Sequence, residues 1–70
     1  MNAIERARLK KGKRLLYNNR LYVYQGYRYR AHGIVLEGGT KKVSYPTGFV
    51  DSVHIWEELS NEEILNAEIV

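Results

Sequence analysis

Seventy residues with a net charge of +3 and a mean hydropathy of −0.46 make one small domain, residues 1–70. Such a chain buries only about 60% of the surface it exposes when unfolded, so its core must be dense. There is no Cys, which excludes a disulfide framework and a thiolate site; no apolar run approaches the roughly 20 residues that span a bilayer.

The charge is divided unevenly. Met1 to His32 holds nine Lys or Arg and one acid, a net +8, whereas Gly33 to Val70 holds two Lys and seven acids, a net −5. A basic face toward an anion, with an acidic tail elsewhere, is one consequence; attraction between the halves across the fold is the other.

A helix is predicted over residues 2–11. Asn2 is a suitable N-cap, Glu5 sits at the capping-box position, and Gly12 suits the stop. Its apolar stripe is thin, with Ile4 and Ala7 beside Arg8 and Lys11. The run Arg6, Arg8, Lys10, Lys11, Lys13, Arg14 is the densest charge cluster in the chain. It reads either as a phosphate-contacting arm or as a solvated terminus.

Short β-favouring runs broken by Gly or Asn follow over residues 14–56. Leu15 to Tyr17 leads into an Asn18-Asn19-Arg20 turn, and Leu21 to Gln25 returns. Leu21 and Val23 share one face of that strand, Tyr22 and Tyr24 the other. Gly26 marks a bulge or sharp bend. Tyr27-Arg28-Tyr29-Arg30 alternates strictly, so Arg28 and Arg30, together with His32, are expected side by side on an exposed face. Ile34 to Glu37, a Gly38-Gly39-Thr40 hairpin turn, and Lys41 to Tyr45 come next. Pro46-Thr47-Gly48 is a further turn, and Phe49 to Trp56 a last strand. Over residues 60–69 a second helix is predicted, with Ser60 and Glu63 as capping box and Leu59 with Ile64 as hydrophobic staple. Ile64, Leu65 and Ile69 would pack on the sheet, and Glu62, Glu63 and Glu68 would face water.

The expected fold is therefore mostly β, with flanking short helices. In strand count, strand length and turn placement from about Arg14 to Trp56, the chain resembles the SH3-like small-barrel class, which includes Tudor and KOW domains. That resemblance implies a curled barrel of four to five antiparallel strands; it carries no functional residue with it. The alternative is an open sheet with the C-terminal helix on one face.

Catalytic chemistry has no support in the residues. His32 and His54 lack the companions a metal site needs. Asp51 with His54 reads as a turn acid and a surface His. Gly38-Gly39-Thr40-Lys41 lacks the glycine spacing and following helix of a phosphate loop. No enzyme, cofactor or metal is expected. Six Tyr, one Trp and one Phe lie among Arg and Lys, a composition shared by protein interfaces and single-strand nucleic-acid binders. The expected function is a small binding protein, adaptor or inhibitor, that occupies a partner protein's surface. The alternative is a nucleic-acid-binding small barrel whose basic half contacts phosphates of DNA or RNA. The candidate binding residues are Arg28, Arg30, Arg20, Tyr22, Tyr24, Lys10, Lys11, Lys13, Arg14, Lys41 and Lys42. Homodimerisation through a strand edge or the opposed charges is a further expectation. The lack of Cys and of an apolar leader suits a cytoplasmic protein.

Overall fold

Asn18 and Asn19 both take left-handed backbone conformations, φ 50° and 62°. They fold β1 (Arg14–Tyr17) back onto β2 (Arg20–Arg28). From there the computed structural model, which describes residues 1–70, continues through β3 (Ala31–Ser44), β4 (Val50–Leu59) and the short β5 (Glu68–Ile69). All pairings are antiparallel, in the order β4-β3-β2-β1-β5. No pairing joins β4 to β5, so the sheet stays open. The barrel expectation is corrected to an open five-stranded sheet, and the SH3-like resemblance reaches no further than the mostly β class. β5 is too short to bridge back, and the outer parts of β3 and β4 run away from the other strands instead of curling over them.

One face of the sheet carries the core. Leu15, Tyr22, Tyr24, Ile34 and Leu59 point to it and meet Ile64 and Ala67 from the chain after β4; Met1, Leu9, Tyr17, Leu36 and Ile69 close its margins. Only nine residues are buried, so each is a large share of a marginal stability. The opposite face has no covering layer.

Both predicted helices are shorter than the sequence suggests. The Asn2 capping box forms, but α1 is only Ala3–Ala7. Ile4 stays exposed, so no apolar stripe holds a longer helix, and Leu9 leaves it to reach the core. Lys13 and Gly12 then extend the β1–β2 ladder, exchanging backbone bonds with Tyr24 at 2.8 Å each. The Ser60–Glu63 capping box also forms, with both bonds at 3.0 Å. Yet it starts only a 3₁₀ turn, Glu63–Asn66, before Ala67 returns to extended backbone. A helix of nine residues recovers little of its nucleation cost, whereas β5 gains the free edge of β1. The amino group of Met1 donates to the carbonyls of Leu65 (2.8 Å) and Ala67 (2.5 Å), tying the termini together.

Two turns are relocated. The Tyr27–Arg30 alternation breaks because β2 ends at Arg28, and Tyr29 and Arg30 form the hairpin turn at φ 54° and 61°. Conversely, Gly38-Gly39-Thr40 does not reverse the chain. β3 runs through it with a register shift between Val35 and Thr40, since both flanks pair with the same β4. The reversal falls at Tyr45–Phe49, where the Gly48 N–H donates to the Tyr45 carbonyl at 2.9 Å. Beyond Glu37, β3 pairs only with β4, and the molecule is drawn out to 46 × 24 × 18 Å.

Candidate binding groove

The uncovered face is concave at one end. There the β2–β3 hairpin and the base of β4 enclose a groove of about 510 Å³. Its floor is backbone, at Gly26, Ala31 and Gly33. Gly33 is required by the approach of Trp56, whose Cζ2 would lie 2.5 Å from any Cβ placed there. The indole therefore lies against the strand while remaining half exposed. Gly26 marks the β-bulge opposite Gly33, at φ 114°, a conformation closed to most side chains.

The walls are aromatic and charged. Tyr29, 92% exposed, rises from the hairpin turn. Two adjacent non-glycine residues in left-handed backbone, neither of them Asn or Asp, are strained. The turn carries both side chains out into solvent. Lys11 and Arg28 supply positive charge to the rim, Glu58 negative charge, and Gln25 an amide. A shallower hollow beside Val23, Val35 and His54 continues the same face and shares Gln25.

The candidate residues from the sequence divide sharply. Lys11 and Arg28 border the groove, and Arg30 stands on the adjoining turn. Arg14 is bound to Glu37 by two bonds, 2.8 and 3.2 Å. Arg20 sits at the far end of β2, Lys10 and Lys13 are exposed near the N terminus, and Lys41 and Lys42 lie out on β3. The cations are thus scattered and form no single stripe. Tyr22 and Tyr24 are core residues, 2% and 3% exposed, so neither ring is free to stack on a ligand. Burial pushes both phenols above their usual range, helped for Tyr22 by the Glu57 carboxylate and for Tyr24 by Tyr27. His32, expected beside Arg28 and Arg30 on the surface, is buried.

Sequence reasoning passed over Trp56, Tyr29, Gln25 and Glu58 as site residues. Only a single Trp in a strand with Glu on its other side hinted at an exposed ring. The register that sets Trp56 against Val35 and Gly33 is not local information. No group of three or more His, Asp or Glu side chains is placed so that it could hold a metal ion. No helix is long and apolar enough to cross a membrane. The chain matches no family model, no curated protein and no solved structure.

Proposed function

We propose that this chain is a non-enzymatic binding domain that holds an extended segment of a partner protein in the Trp56 groove. The observation that carries the proposal is Trp56 itself: half exposed, seated on a glycine floor, and flanked by charges of both signs. Interface anchors are enriched in Trp, Tyr and Arg held in pockets, and Trp56, Tyr29 and Arg28 supply one of each. Mixed charge favours a polypeptide over a polyphosphate, because Glu58 stands where a phosphate would be repelled. The missing side chains at Gly26 and Gly33 leave room on the floor for a chain laid flat against the sheet.

The test uses the only Trp in the sequence as its own probe. Random-peptide display is panned on the immobilised protein, and the enriched peptides are titrated against Trp56 emission. Peptides that shift the emission, and bind W56A and R28A at least tenfold more weakly, support the proposal. Peptides that bind both variants as well as the native chain overturn it. A mixed-sequence oligonucleotide that quenches Trp56 and is released by moderate salt would favour the nucleic-acid reading instead.

A further inference from the structure

The core-bearing face of the sheet does not end where its cover ends. Past Glu57 it continues along the two-stranded arm formed by the outer parts of β3 and β4. Register places Ile55, Val53 and Val43 on this face, and Tyr45 and Phe49 follow at the arm's tip, their rings 5.8 Å apart. Tyr45 and Phe49 are 45% and 61% exposed, and no third layer lies over them. Isolated two-stranded ribbons are marginal in water, and this one carries an uncovered apolar stripe.

We infer that the arm face is a homodimer interface, in which two copies of this chain pack arm to arm about a twofold axis. The occupant follows from the order of residues on the face. With the axis at the level of the Lys42–Ser52 pair, residues at equal distances on either side meet. Lys41 of one copy then lies within reach of Asp51 of the other, and the reverse, since the two sit one pair to either side of the axis. Ile55 meets Phe49 and Tyr45. One register thus matches charge to charge and apolar to apolar. Self-complementarity of this kind is what a twofold interface requires. On this face Lys41 is balanced by Asp51, while Lys42 points to the other side with Ser52, so the patch offers phosphates no net positive charge, and it leaves the Trp56 groove free on the opposite face. The inference does not depend on what that groove binds.

At about 3.3 Å per residue the arm faces together bury on the order of 1,000 Å², the size of a weak, reversible interface. Sedimentation equilibrium of the full chain over a wide concentration range is the test. The mass should rise from 8.2 kDa toward twice that value. K41D and D51K should each weaken association about tenfold, and the double exchange K41D/D51K should restore it. Both side chains are exposed, so circular dichroism should not change. A mass that stays monomeric at every concentration overturns the inference. So does a dimer indifferent to both charge reversals, which would place the contact elsewhere, such as the open edge of β4.

Discussion

Tyr24 and His32 meet inside the core, with the phenol oxygen 2.7 Å from Nδ1, while Nε2 on the other side of the ring lies 2.7 Å from Oδ1 of Asn61. The Asn61 oxygen can only accept, so Nε2 carries a proton, and in the neutral ring Nδ1 then accepts from the Tyr24 hydroxyl. This chain of bonds joins β2, β3 and the segment after β4; the ladder already holds β2 to β3, so its distinct contribution is to fix Asn61, and that segment with it, to the sheet. Replacing Tyr24 by Phe keeps the ring and removes the donor, leaving a buried ring nitrogen unpaired. We expect Y24F to lose about 1–3 kcal/mol in urea unfolding. A loss of only a few tenths would mean that the network adds nothing to stability.

Burial raises the Tyr22 and Tyr24 phenols above the ordinary 10.0. The folded state therefore holds these protons more tightly than the unfolded chain. The associated stability is fully present below pH 10.0 and is lost as pH rises through the folded-state values. Denaturation midpoints should be flat near neutrality and fall in strong alkali, and Y24F should flatten part of that fall. An alkaline slope identical in the native chain and Y24F would show that Tyr24 does not contribute.

Glu63 has the opposite sign. Its carboxylate accepts from the Ser60 backbone N–H, and the Ser60 hydroxyl lies alongside, which lowers its affinity for a proton below that of an ordinary carboxyl. The capping contribution is present above the usual carboxylate range and disappears as pH falls through the folded-state value. E63Q should retain most of the neutral-pH stability while showing a shallower acid slope. Equal acid slopes for E63Q and the native chain would assign the acid sensitivity to other groups.

The Tyr29-Arg30 turn is held at positive φ by residues poorly suited to it, whereas Asn18-Asn19 uses residues that tolerate the same conformation. Exchanging Tyr29-Arg30 for Asn-Gly should therefore raise stability by about 1 kcal/mol. It should also remove the aromatic wall and weaken peptide capture in the groove. Greater stability with unchanged capture would detach the turn from the site. Lower stability would mean that the two side chains make contacts that outweigh the strain.

The contrast between these turns also explains what was legible in the sequence. Asn-Asn, both capping boxes, the Pro46-Thr47-Gly48 turn and the short strands around Tyr22 and Val35 are local signals, and each lies where local chemistry puts it. The edges of elements were decided by distant partners. β5 exists because β1 had a free edge, and Gly38-Gly39 was absorbed as a bulge because β4 pairs on both sides of it. The inward Tyr22/Tyr24 face was equally ambiguous, since Leu21 and Val23 offered a comparable apolar face, and only the layer containing Ile64 and Ala67 chooses between them. The groove was the least legible part, because it is defined by an absence of side chains at Gly26 and Gly33.

That absence can be tested directly. An Ala at position 33 would put its methyl into the Trp56 ring, within 2.5 Å of Cζ2, so the indole must swing outward. The cost to the fold is small, because the displaced atoms are the outer end of a half-exposed side chain and Ala suits a strand better than Gly. We expect G33A to change stability by less than about 1 kcal/mol. Its Trp56 emission should shift to the red as the ring enters water, and groove affinity should drop with it. If emission and affinity stay native while the variant remains folded, the indole is not seated on Gly33 and the groove as described does not form.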